Sequence, residues 1–195
     1  MSGPDSEPRR RVLDAAYSCV ARFGLAKTSV EDVAKEAGLS RATVYRLFPG
    51  GKDQLLGAMV RGEMDRFFVR MAVAVADQPD FPALVEAALA FAHREIGGHA
   101  VLQTVLVTEP ERLIPFMTGE QGRILGAVVE YLRPLLEEEA AAGRMQPGVD
   151  PDLAARYIAA MGLSVMATPG RIDLTDPAAV HDLVRREFLG GILAH

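Results

Sequence analysis

The stretch from Thr28 to Phe48 constrains this chain more than any other, because its residues are ordered as two short helices meeting at a glycine. Thr28 is placed to cap a helix, with Glu31 three positions on to reach back in a capping box. Val30, Val33, Ala34 and Ala37 recur at helical spacing and give one apolar stripe, while Glu31, Asp32, Lys35 and Glu36 take the solvated face. Gly38 can adopt the left-handed conformation that ends a helix cheaply, and Ser40 can cap the next one. In that second helix Val44 and Leu47 or Phe48 point inward, which leaves Arg41, Ala42, Thr43, Tyr45 and Arg46 outside. This is the arithmetic of a helix-turn-helix. A surface helix with arginine, threonine and tyrosine and no carboxylate suits a phosphate-lined major groove, so DNA is the first partner expected. Any small helical bundle also has capped helices and glycine turns, but the flank adds weight. Arg9 to Phe23 reads as a further helix, with Val12, Ala15, Ala16, Cys19, Val20 and Phe23 at core spacing and Arg9, Arg10 and Arg11 at its entrance.

From Val12 to Leu56 the residues resemble the DNA-binding domain of the tetracycline-repressor (TetR) family of bacterial regulators. The resemblance rests on Ala15-Ala16, Phe23-Gly24, Thr28-Ser29, Asp32-Val33-Ala34, Ala37-Gly38-Leu39-Ser40, Thr43-Val44-Tyr45 and Phe48, followed by Lys52 and Leu55-Leu56. It implies a base-facing role for Arg41, a backbone or base contact for Thr43, a phosphate contact for the Tyr45 hydroxyl and an approach to phosphate by Thr28. Ser40, Ala42 and Arg46 share that surface. One departure stands out. Phe48-Pro49-Gly50-Gly51-Lys52 carries the lysine one residue later than the commonest family pattern, so a phosphate contact from Lys52 requires the longer loop to fold back.

With 195 residues, the chain leaves well over half its length beyond a DNA-binding domain at 1–56, and residues 57–195 are expected to form a ligand-binding and dimerisation domain. Charge follows the same division. Residues 1–61 hold ten Lys or Arg against seven Asp or Glu, and residues 62–195 hold eleven against nineteen. Basic groups gathered on one face bind DNA in an acidic protein, because counterion release depends on local phosphate neutralisation. The lone cysteine, Cys19, lies on the apolar side of its helix and reads as a buried reduced thiol, which points to the cytoplasm, among nucleoid-associated proteins. Met1 to Pro8 reads as a disordered polar tail without a signal-peptide core. No apolar run is long enough to cross a bilayer, so no membrane partner is expected.

The expected fold class is all-α: the three-helix unit, a long linking helix from about Lys52 to Ala76, and a C-terminal helical bundle, with about nine helices in all. Asp80 caps a helix from Phe81 to about Glu95, which Gly97-Gly98 separates from an apolar segment at Val101 to Val107. Pro110 and Pro115 flank a short piece. Thr118 opens a capping box for a helix to about Ala142, with a kink at Pro134 and a stop at Gly143. Asp150-Pro151 and Asp176-Pro177 open the last two, running to about Met166 and Ala194. Phe67, Phe68, Met71, Phe91, Leu102, Leu106, Phe116, Met117, Leu125 and Val129 could line an apolar cavity for an unidentified small-molecule effector. Tyr157, Met161, Val165, Val184, Phe188 and Ile192 lie on broadly apolar terminal helices. The resemblance implies that these helices form a four-helix homodimer interface, that the dimer binds a palindromic double-stranded operator, and that repression is the usual outcome.

An enzyme finds little support: there is no glycine-rich phosphate loop and no His-x-x-x-His pair, and no catalytic residue, cofactor or metal is expected. Ligand-independent regulation, or a metal-responsive variant using His93, Glu95 and His99, is the alternative.

Overall fold

The computed structural model describes residues 6–168 and 172–194, with side chains for all of these except 113–118. Its elements run α1 (Ser6–Lys27), α2 (Val30–Ala37), α3 (Arg41–Leu47), α4 (Gly51–Val75), α5 (Phe81–Gly98), α6 (Ala100–Thr108), α7 (Pro110–Ala141), α8 (Pro151–Ala167) and α9 (Pro177–Asp182), the last continued by a π-helical stretch, Leu183–Phe188. Among the described residues the only β pairing is a single antiparallel bridge between Met145 and Leu193. The all-α expectation holds.

Two compact units divide the chain. The first comprises 1–69 and 99–119, so α6 and the start of α7 belong with the N-terminal helices rather than with the residues around them in sequence. The second comprises 70–98 and 120–195. In the first unit, Val12, Ala16, Cys19 and Val20 of α1 pack with Val33 and Ala34 of α2, Val44 and Leu47 of α3, Phe48, Leu55 and Leu56 before and within α4, and Val105 of α6. Val12, Val33 and Phe48 have no exposed surface at all. Burial pushes the Cys19 thiol up, which keeps it neutral at physiological pH, as a packed thiol should be.

α1 departs from the expectation at both ends. It begins at Ser6, so residues 6–8 are helical rather than part of a tail. Near its C-terminus Gly24 breaks the helical conformation with φ 80° and ψ 172°, a region open essentially to glycine alone. The break redirects the chain. Phe23, expected in the core, is 46% exposed, and Leu25 takes the inward place at 3%.

In the second unit, Phe81, Val85 and Leu89 of α5 meet Val129, Leu132 and Leu136 of α7, Ala155 and Ile158 of α8, and Val180, Val184 and Phe188. Asp80, Asp150 and Asp176 cap their helices as expected: Asp80 Oδ1 accepts from Ala83 N–H at 2.8 Å, Asp150 Oδ1 from Asp152 and Leu153 N–H at 2.8 and 3.2 Å, and Asp176 Oδ1 from Ala178 N–H at 2.9 Å. α5 runs on to Gly98, so the glycine pair ends the helix rather than standing outside it, and the Nδ1 of His99 accepts from Leu102 N–H at 3.1 Å to start α6.

Two expectations for this half are corrected. α7 is one helix from Pro110 to Ala141, and neither the short piece before Thr118 nor a helix start at Thr118 exists. A proline removes one N–H and crowds one carbonyl, and a helix of this length carries that local loss on its remaining bonds. The final helix does not reach Ala194. It loosens into the π-helical stretch, where Leu189 N–H reaches the Val184 carbonyl at 2.9 Å, and ends before Gly190-Gly191, which favour helix poorly. The chain end is tied instead to the turn after α7, Gln146 N–H donating to Ile192 O at 2.8 Å and Ala194 N–H to Arg144 O at 2.9 Å.

A Cβ placed on Gly24 would overlap Glu109 Oε1, within the first unit, in addition to the strain of its positive φ. Gly24→Ala is expected to cost about 1–3 kcal/mol from backbone strain, and to push the flexible Glu109 carboxylate off the Ala26 N–H. The denaturant midpoint of the variant against the parent chain measures the loss.

Candidate nucleic-acid interface

The helix-turn-helix is built by local hydrogen bonds that can be followed one at a time. Ser29, not Thr28, caps α2. Its Oγ accepts from Asp32 N–H at 3.1 Å, and the Asp32 carboxylate accepts from Ser29 N–H at 3.1 Å, a reciprocal capping box one residue later than expected. Thr28 turns inward because the Gly24 break offers it a partner. Its hydroxyl donates to the Gly24 carbonyl at 2.7 Å, and the residue is 2% exposed. A hydroxyl so buried presents no surface to a phosphate.

Gly38 ends α2 in the left-handed conformation, φ 64° and ψ 35°, with its N–H on the Lys35 carbonyl at 3.2 Å and Leu39 N–H on the Ala34 carbonyl at 2.9 Å. Ser40 then caps α3, accepting from Thr43 N–H at 3.1 Å, and its Oγ sits 2.9 Å from the Thr43 hydroxyl. Val44, Leu47 and Phe48 are buried, whereas Arg41, Ala42, Tyr45 and Arg46 are exposed and Thr43 is half-buried. α3 therefore offers one polar face to solvent while its other face is fixed in the core.

On that face Arg41 is held by two neighbours. Its guanidinium lies 2.5 Å from Glu31 Oε1 and 5.4 Å from the centre of the Tyr45 ring. The hydrogen bond with Tyr45, and then the Glu31 charge, hold its pKa above the ordinary arginine value. Arg41 stays fully charged for any partner. Lys52 follows Gly51, the first residue of α4, whose φ is 66°, and its ammonium donates to the Ala26 carbonyl at 2.8 Å. The longer loop thus brings Lys52 back onto the protein's own backbone. The N–H of the same Ala26 donates to Glu109 Oε2 at 2.7 Å, so the turn that leads into α2 is gripped from two sides. Glu109, between α6 and α7, is not marked by the sequence for this role. An acidic side chain directly after an apolar segment carries no signal of a partner 83 residues away.

The apolar residues expected to line a cavity fall in both units: Phe67, Phe68, Leu102 and Leu106 in the first, Met71, Phe91, Leu125 and Val129 in the second. Phe67 and Phe68 are half-buried and meet edge to face, 5.4 Å between ring centres; Leu106 is 43% exposed. Val129 belongs to the second core, with Leu125 packed against it. The side chains of Phe116 and Met117 lie outside the described residues. Of the residues expected at a dimer interface, Tyr157 is 44% exposed and Met161 and Val165 are half-buried. Val184, Phe188 and Ile192 are 0%, 1% and 7% exposed. These three are buried in their own unit's core, where α9 and the π-helical stretch pack against α5.

Residues 12–59 match the family model described as bacterial regulatory proteins, tetR family. Over these residues the chain carries the DNA-binding domain of that family. An HTH-type transcriptional regulator of Mycobacterium bovis is 27% identical to it over 76% of this chain and 75% of that protein. The HTH-type transcriptional repressor KstR2 of Rhodococcus jostii is 26% identical over 77% and 74%. The crystal structure of the transcriptional regulator FadR of Bacillus subtilis in complex with stearoyl-CoA shares the fold, with a TM-score of 0.55 at 20% identity, covering 90% of this chain and 96% of that one. The matched domain and the relatives alike are those of helix-turn-helix transcriptional regulators.

The capping box makes a prediction about acid stability. Asp32's pKa is lowered, first by the Ser29 hydroxyl and then by the Ser29 N–H. A carboxylate whose pKa is depressed on folding contributes stability that is present above its unfolded value of about 3.9 and is lost as pH falls through the lowered one. Asp32→Asn is therefore expected to melt below the parent at neutral pH, with the difference narrowing on acidification beneath that range. Thermal melts across a pH series read both effects.

Proposed function

We propose that the chain is a dimeric repressor that reads a palindromic operator through α3 and releases it when a small apolar or amphipathic effector binds. The observation that carries the DNA reading is the two-sidedness of α3: Val44 and Leu47 buried, Arg41, Ala42, Tyr45 and Arg46 presented together at the surface. Arg41 is the base reader, since a guanidinium matches the two acceptors of a guanine edge. Tyr45 is the phosphate contact through its hydroxyl, Thr43 and Ser40 lie at the helix N-terminus where backbone N–H groups favour an anion, and Arg46 adds charge further along. Lys52 adds charge beside the motif from its place on Ala26. Thr28 is left out of the contact set.

For the dimer, α8 supplies the face. Leu153, Tyr157, Ala160 and Ser164 are exposed and recur at four, three and four residues, one side of a helix, with Leu153 66% accessible. Tyr157 donates from its hydroxyl to the Glu187 carbonyl at 3.0 Å, joining that face to the π-helical stretch. Two copies related by a two-fold axis would set paired α3 helices on half-sites about 34 Å apart. Leu153→Arg would place a charge in the middle of such a face. Light scattering should then show monomers, with operator binding lost in parallel; a dimer unaffected by the change would remove α8 from the interface.

The effector reading is supported by the half-buried aromatic pair Phe67 and Phe68, and by the acyl-CoA held in the structure of FadR. A ligand shifts operator affinity only by its preference between two states of the dimer, commonly about 1–3 kcal/mol. A repressor that stays on its operator with every compound of a metabolite library would instead be constitutive. Among the described residues no group of three or more His, Cys, Asp or Glu side chains is placed to hold a metal, so the apolar effector is preferred to the metal-responsive alternative.

The groove assignment is tested by two substitutions. Arg41→Ala should cost about 1–3 kcal/mol and relax the preference at one position of each half-site. Tyr45→Phe, which removes one hydroxyl, should weaken binding to all duplexes alike. Titrations against the operator and single-base variants of it separate the two patterns.

A further inference from the structure

Arg9, Arg10 and Arg11 stand at the start of α1, where a cluster of positive charge beside a helix-turn-helix invites a phosphate-binding role. Their side chains do three different things. Arg10 pairs with Glu7 of its own helix at 2.8 Å and is mostly exposed. Arg9 reaches across to α3, its Nη1 donating to the carbonyl of Leu47, the last residue of that helix, at 3.2 Å, with its guanidinium carbon 4.4 Å from the centre of the Phe48 ring. Arg11 reaches α2, its Nη2 donating at 2.6 Å to the carbonyl of Ala37, the last residue of that helix. The same nitrogen lies 3.3 Å from where a side chain on Gly38 would begin, so the glycine turn leaves it room.

We propose that Arg9 and Arg11 are positioning residues for DNA recognition, each clasping the C-terminal end of one helix of the motif and so fixing where α3 sits along its axis. The proposal rests on the reading of α3 as the DNA-contacting helix. α2 has eight residues and α3 seven, lengths that do not persist as helices without tertiary support. Burial of Val44, Leu47 and Phe48 fixes which side of α3 faces inward. It constrains sliding along the axis less well, because apolar contact is not directional. A charged hydrogen bond to a terminal carbonyl is directional. It also satisfies a carbonyl that the helix cannot, and it sets a cation at the negative end of the helix dipole. Arg9 adds a cation–π contact with Phe48, the fully buried ring that ends α3. The guanidiniums are thus engaged with carbonyls of the protein itself, and their contribution to binding is geometric.

Salt dependence tests this directly. The probe is the duplex most enriched when the parent chain selects from a random pool, and a chain that enriches none overturns the DNA-binding reading together with this proposal. Given such a duplex, Arg9→Ala and Arg11→Ala should each lower affinity for it about tenfold, the scale of one charged hydrogen bond. Affinity for unrelated duplex should stay unchanged, and so should the slope of log K against log salt. A phosphate contact would reduce that slope by about 0.9 for each one lost and would weaken unrelated duplex equally, which would overturn the assignment. Arg9→Lys keeps the charge but replaces the forked guanidinium that reaches the Leu47 carbonyl and the Phe48 ring together. It should bind the selected duplex like Arg9→Ala, and full recovery by lysine would again mark a phosphate contact. Variants that only melt earlier, while binding as the parent does well below their melting temperatures, would make the two arginines structural and nothing more.

Discussion

Everything this molecule presents to a duplex depends on the burial of one side of a seven-residue helix. α3 is too short to persist alone, so its direction is set by what Val44, Leu47 and Phe48 are packed against: α1, α2 and the start of α4. The polar face is a by-product of that packing. Arg41, Tyr45 and Arg46 stand where they do because the opposite side of the same turns has no other place to go. The remaining devices, the Ser40 cap, the Gly38 turn and the two arginines from α1, refine a position that the core has already chosen.

The reading from sequence succeeds where structure is decided within a few residues. Ser40, Gly38, Asp80, Asp150 and Asp176 each act through partners at most four positions away, and each plays the expected part. It fails by one residue at Thr28, because the cap was contested by Ser29 and the contest was settled by Gly24, whose unusual conformation offers Thr28 a carbonyl to turn toward. The same break moved Phe23 outward. A glycine in a pattern announces freedom but not the angle it will adopt.

Longer-range outcomes were less legible for related reasons. Val184, Phe188 and Ile192 are apolar whether they face their own core or a second subunit, and hydrophobicity cannot name the neighbour. The single helix of α7 was hidden by prolines, since a residue that ends short helices is tolerated in one that has many other bonds to rely on. Arg9, Arg11, Lys52 and Glu109 form a third group. Each bonds to a backbone atom of a distant segment, and a backbone atom has no letter in the sequence by which such a partner could be recognised.

Ala26 shows where that last point leads. Its side chain is exposed, yet its carbonyl is taken by Lys52 and its amide by Glu109. Among descendants of this chain, position 26 should therefore drift freely while 24, 52 and 109 change only in concert. A comparison of many such sequences would find the doorstep of the reading head recorded at three scattered sites, and silent at the residue they all surround.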